Sequence, residues 1–176
     1  ELLGGERTIG KMQIGWLSPM LRCAVIEIDR VAESESPESN GAGVSWKSIF
    51  DPIGWDVTTI VSEGTVEKCG DPVWTGVDGH AAMLAHRDKT DLDAEWRYHI
   101  LAVQQIALKV GGRGERGVMY DNGLSNDVPR EGIMLASHYI FPPDEPFWGP
   151  LLGMHAGKTV TYFRTAVHEI GHAFGL

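Results

Sequence analysis

The chain has 176 residues, 43% of them hydrophobic and 22% charged, a globular composition that excludes wholesale disorder and suits one compact domain. Asp and Glu (24) outnumber Lys and Arg (15), and the net charge of -9 weighs against nucleic acid or an anionic membrane surface as a partner. No apolar stretch approaches the roughly 20 residues that span a bilayer, and two cysteines, Cys23 and Cys69, are too few for a disulfide scaffold or a four-cysteine zinc site.

Residues 21–30 are dense in branched apolar side chains and predict a buried strand. The polar run 33–43 predicts a surface loop. Residues 45–50 suit a short helix stopped by Asp51 and Pro52, and residues 55–61, rich in Thr, Val and Ile, a second strand. A helix is predicted over 78–87, with Asp or Gly at its cap. Residues 95–110 are ambiguous. Trp, Tyr, Ile and Val favour a strand, whereas Thr90 with Asp93 resembles a capping box and Gly111-Gly112 a helix stop. A strand over about 96–105 is the preferred reading. Two more strands are predicted over 117–120 and 132–141, separated by the turn-rich residues 121–129. Pro142, Pro143, Pro146 and Pro150 mark an irregular connection, and a helix follows from about Val160. Strand, helix, strand, helix, three strands and a helix predict an α+β domain with mixed α/β layers.

The last helix carries His168-Glu169-Ile170-Gly171-His172, an H-E-x-x-H sequence. Residues i and i+4 stand one above the other on a helix face, so both imidazoles can reach one Zn²⁺ at about 2.0–2.1 Å. Glu169 follows the first histidine directly, which is where a general base acting on water belongs. At about 100° per residue, Phe163, Ala166, Val167, Ile170 and Phe174 share one apolar stripe, and His168 and His172 lie on the opposite face. A surface helix with incidental His and Glu is the bland alternative. A chance H-E-x-x-H is expected roughly once in a couple of hundred such chains, and the helical periodicity agrees with the zinc reading.

The sequence continues to Gly175 as H-E-x-x-H-x-x-G, the start of a longer motif whose third histidine follows the glycine by three residues. Gly175 is expected to end the helix in a left-handed conformation, turning the chain so that a third ligand returns to the metal. Residues 165–176 resemble the active-site helix of the metzincin clan of zinc metallopeptidases, in its matrixin-like and related bacterial members. The resemblance implies a zincin-like, twisted, mostly parallel sheet with one antiparallel edge strand, backed by helices above a cleft. It implies His168 and His172 as Zn²⁺ ligands, Glu169 as general base and a third ligand beyond Leu176. Residues 1–176 are then expected to be the N-terminal subdomain of a metallopeptidase catalytic domain, with the C-terminal subdomain outside the chain. The expected activity is hydrolysis of peptide bonds in a protein or peptide substrate. Such a substrate would lie extended along a strand edge, for which 117–120 and 132–141 are the candidates. Peptidases of this kind often act outside the cytoplasm, so an extracytoplasmic or secreted setting is expected. Oligomeric state is not readable from the sequence.

Two other classes fit the same helix: a zinc hydrolase of a non-peptide substrate, because metal and fold do not fix the substrate, and a non-catalytic protein-binding relative, against which the intact Glu169 argues. Weaker signals have plainer readings. His138, in the strand predicted over 132–141, could line the cleft, although a packed or hydrogen-bonded histidine is the simpler expectation. His80 and His86 are six apart, the wrong spacing for one zinc on one helical face. His99 and His155 carry no pattern. Cys23 and Cys69 could pair. Residues 121–123 and 125–127 are oxygen-rich enough for calcium, but their spacing is not an EF-hand and a turn is the default. Trp148-Gly149 could wall the cleft or serve as a buried anchor.

Overall fold

The computed structural model describes residues 2–4, 7–10, 12–16, 18–67, 73–91, 95–107, 114–119, 131–139 and 155–176. In chain order the elements are β1 (Leu2–Gly4), β2 (Arg7–Gly10), β3 (Arg22–Arg30), α1 (Trp46–Phe50), β4 (Trp55–Val61), β5 (Val73–Trp74), α2 (Gly76–His86), β6 (Arg97–Val103), β7 (Gln105–Ile106), β8 (Gly117–Met119), β9 (Gly132–Ala136) and α3 (His155–Phe174). Among the described residues this is a mixed α/β arrangement of three helices and a mixed sheet. No described helix is long and apolar enough to cross a membrane.

The central sheet has five strands in the order β4-β3-β6-β9-β8. The first four are parallel, and β8 closes one end antiparallel to β9. After β3 the chain crosses α1 to reach β4 on one side, then crosses α2 to reach β6 on the other. Crossovers of one hand that reverse direction cover opposite faces of a sheet. Accordingly α1 and α3 share one core with Ala24, Ile26, Ile28, Ile100, Ile133 and Leu135. Met83 and Ala82 of α2 share the other with Leu101, Val103, Met134 and Ala136.

Local chemistry explains the elements. Ser45 caps α1 by accepting from the Ser48 N–H, while the Ser48 hydroxyl accepts from the Ser45 N–H at 2.8 Å. Thr75 and Asp78 cap α2 in the same reciprocal way, which starts that helix two residues earlier than the sequence suggests. The ambiguous stretch after residue 95 is strand over β6 and β7; the β-branched and aromatic residues of β6 are taken up by pairing with β3 and β9, and β7 pairs with β5. Asp93 and Gly111-Gly112, the helical signals there, lie outside the described residues. Helix α3 begins at His155, ahead of Val160, because Gly157 and Thr159 are weak helix formers that hide the first turn from a propensity reading. The strands β1, β2 and β5 are too short to show a period and were not anticipated.

One expectation needs correction. The strand predicted over 132–141 stops at Ala136 and is not a sheet edge: β9 is paired on both sides. Its residues Gly132–Ala136 are all buried, the uninterrupted run of a strand covered on both faces. His138 therefore leaves the sheet. It sits exposed in the turn after β9, its backbone N–H bonded to Gln104 O at 3.0 Å.

Helix α3 ends as expected at Gly175, whose φ is +76°. The Leu176 N–H bonds to Gly171 O at 2.9 Å and the Gly175 N–H to His172 O at 3.1 Å, a paired closure of the last turn. Gly171, by contrast, is inside the helix, and an added methyl there meets nothing within 4 Å. Gly175→Ala should therefore lower stability by about 1 kcal/mol, and Gly171→Ala should raise it by roughly 0.5–1 kcal/mol. Urea midpoints of the two variants should move in opposite directions.

Candidate metal centre

Helix α3 is fixed by its apolar stripe. Ala166 and Ile170 have no exposed surface, and Phe163 and Phe174 are buried with them. Phe163 packs edge-on to Trp46 at 5.1 Å, and Phe174 stacks on Trp55 at 4.2 Å and meets Phe50 at 4.9 Å. Such ring pairs add about 0.5–1.5 kcal/mol each beyond their buried area. Val167 is partly buried against the same core. With that stripe against the sheet, His168 and His172 are left on the exposed side.

The two imidazoles converge. Their Nε2 atoms lie 3.1 Å apart. Two nitrogens bound tetrahedrally to one zinc at the usual bond length are separated by roughly 3.3 Å. The pair therefore already has nearly the spacing a shared ion demands, and two imidazoles are a donor set that suits zinc.

Glu169 points elsewhere. It is half-buried and lines a cavity of about 300 Å³ together with Glu115, Arg116, Gly117, Arg164, Thr165 and His168. Burial pushes its carboxyl above the usual carboxylate range; His168 and His172 pull it down, Glu115 pushes it up and Arg116 opposes. Thus one wall of the cavity is α3 and the other is the start of β8. Among the described residues β8 pairs only with β9 and is the last strand of the sheet. The Ala136 N–H bonds to Arg116 O at 2.9 Å, and the register then places Val118 opposite Met134. By the alternation of antiparallel pairing, Gly117 and Met119 turn their backbone N–H and C=O outward. Of the two candidate edges, β8 is the one that lies at the end of the sheet among the described residues.

A second group of ligand-type residues lies on the opposite face of the sheet. Glu27, Asp29 and His99 are all buried, and one ligand atom of each lies within 4.8 Å of the others, a spacing a metal ion could bridge. Their atoms are engaged with neighbours. Glu27 accepts from Arg97 Nη1 at 2.7 Å and from the Asp88 N–H at 2.8 Å. Asp29 lies 2.9 Å from His99 Nε2. Arg97 also bonds Glu95 at 2.7 Å, and Arg87 pairs with Glu131 alongside. This satisfies what buried carboxylates require, namely charge partners and hydrogen bonds.

The sequence reading passed over Glu27, Asp29 and His99. The signal was present as parity: Glu27 and Asp29 alternate with Ile26 and Ile28, and Arg97 and His99 repeat the pattern on β6. Gly117 was also passed over. Of the remaining candidates, His80 is half-buried in α2 and His86 exposed at its end. The side chain of His155 lies outside the described residues. Cys23 is exposed on β3, and Cys69, residues 121–127 and Trp148-Gly149 lie outside the described residues. A larger cavity, about 490 Å³ and lined by Leu21, Arg22, Asp56 and Trp96 among others, shares no residue with the one beside Glu169. Comparison with known proteins finds no match: no family model, no curated protein and no solved structure.

Burial pushes the Asp29 carboxyl up, but hydrogen bonds from His99 and Ser62, with charge from His99 and His86, outweigh it and hold it below its ordinary 3.8. A carboxyl whose folded value is depressed adds stability above its unfolded value and loses it as pH falls through the folded one. The stability gap between wild type and Asp29→Asn should therefore be full at pH 7 and shrink below about pH 4, as read by urea denaturation at both. Glu27→Gln takes from Arg97 its one fully buried charge partner, leaving Glu95 and Asp88, and should cost about 1.5–3 kcal/mol, the worth of a hydrogen bond between charged groups.

Proposed function

We propose that the chain is the helix-bearing N-terminal subdomain of a zincin-like catalytic domain, and that the enzyme is a zinc-dependent endopeptidase. The observation that carries this reading is the disposition around α3. Two imidazole nitrogens converge at 3.1 Å on its exposed side, and Glu169 lines a cavity between the helix and the last strand of the sheet. The parallel sheet with one antiparallel edge strand is of the kind the metzincin resemblance implies, and supports the reading further.

His168 and His172 would hold Zn²⁺, with a third ligand from residues beyond Leu176. When bound, the ion supplies Lewis acidity for the scissile carbonyl and for water. The remaining work belongs to this chain. Glu169 takes a proton from water and delivers it to the leaving amine. The outward N–H and C=O groups of Gly117 and Met119 receive an extended peptide as an added strand. Main-chain pairing of this kind binds peptides with little regard to sequence, which suits an endopeptidase.

In the full-length protein, hydrolysis of a denatured protein substrate should be lost to a chelator and restored by Zn²⁺. Glu169→Gln should lower kcat by about 10²–10⁴-fold while zinc content, measured by atomic emission, stays at the wild-type level. Retained activity in Glu169→Gln overturns the role given to that residue. Zinc bound without any peptidase activity points to a different substrate.

A further inference from the structure

Gly117 opens β8 in register with Leu135. A methyl built on it would lie 2.7 Å from Glu169 Cγ and 3.1 Å from both Leu135 Cδ2 and Thr165 Cγ2. Carbon atoms are best placed about 3.5–4.0 Å apart, so the position is blocked on three sides. Two of these sides are held. Leu135 has no exposed surface and lies in a strand paired on both sides. The Thr165 hydroxyl donates to Thr161 O at 3.1 Å, which fixes the rotamer that points its methyl at Gly117. The helix cannot lift, because Ala166 and Ile170 seat it with no exposed surface. The group left to yield is the Glu169 side chain.

We infer that Gly117 is a positioning residue for Glu169: the absence of a side chain on the edge strand sets where the carboxylate sits. This rests on the peptidase reading above and deepens it. The same residue presents its backbone N–H and C=O at the end of the sheet. A substrate strand and the general base are therefore referred to one residue, one through its peptide groups and the other through its missing Cβ. The three atoms nearest such a methyl belong to Glu169, Leu135 and Thr165, not to the histidines.

The test is Gly117→Ala in the full-length protein. To restore an ordinary contact, Glu169 Cγ must move by roughly 0.7 Å, and misplacement on the 1 Å scale costs up to about 10²-fold. The expected result is a kcat lowered about 10- to 100-fold with KM within about twofold and zinc content unchanged. In the Glu169→Gln background the same substitution should have no further effect, because the group it displaces no longer acts as the base. A crystal structure of the metal-free variant should show Glu169 shifted and His168 and His172 in place. Should Gly117→Ala fail to fold, Thr165→Ser loosens the same seat from the helix side and should lower kcat by less, again only when Glu169 is present. Unchanged kcat with Glu169 in place overturns the inference, as does an equal loss in the Glu169→Gln background or a loss that follows zinc. An inactive wild type overturns the peptidase reading instead, and the metal-free crystal structure still decides where Gly117 puts Glu169.

Discussion

Seating α3 on the sheet is the constraint on which the site depends. Phe163, Ala166, Ile170 and Phe174 form one stripe, buried against β3, β4, β6 and β9 and against the aromatic rings of α1 and β4. At roughly 25 cal/mol per Å² of apolar surface, four such residues outweigh any preference of the polar face. The helix therefore has one rotational setting about its own axis. In that setting His168 and His172 face outward, and Thr165 and Glu169 face β8. The two histidines and the carboxylate are placed by the residues of the apolar stripe.

The two faces of the sheet carry different electrostatic solutions. On the α3 side β3 presents Ala24, Ile26 and Ile28, and packing alone suffices. On the α2 side the same strand presents Glu27 and Asp29, and the adjacent β6 presents Arg97 and His99. A buried carboxylate without a partner costs several kcal/mol, so these four residues act as a unit. Glu27, Asp29 and His99 are the types that bind metals, and their polar atoms are engaged with Arg97, the Asp88 N–H and each other. His168 and His172 differ in that their Nε2 atoms face one another across 3.1 Å on the solvent side, with no carboxylate bonded to either among the described residues.

What was legible in the sequence followed how local the signal is. The apolar stripe of α3, the outward histidines and the left-handed end at Gly175 depend on helical geometry over a few residues, and all appear where the spacing put them. Strands β3 and β4 were legible from their branched residues. The sheet edge was not, because 117–120 and 132–141 both read as strands and their order is a matter of long-range pairing. Composition held a clue: Gly132–Ala136 has no polar residue, as a doubly covered strand requires, whereas β8 is short and only half-buried. The buried Glu27–Arg97 pair was hidden for a related reason. An acidic residue alternating with isoleucine in a strand reads as a solvent face until the helix that covers it is known.

The relation of α3 to β8 shows why a single glycine can matter at this site. A helix crossing the end of a sheet meets the edge strand through whichever side chains lie between, and that strand has a neighbour on one side only. Any bulk there would be accommodated by moving the edge outward or the helix upward. Here the first option is limited by the pairing of Gly117 with Leu135, and the second by Ile170 and Ala166. With both elements held, the spacing between them is fixed by the smallest residue available. Glu169 fills the space that Gly117 leaves. Glu169 is half-buried there, burial raises its affinity for its proton, and it lines the cavity shared with His168. A side chain at position 117 would take the space that Glu169 Cγ occupies, so a glycine in this strand is what lets helix and strand lie this close.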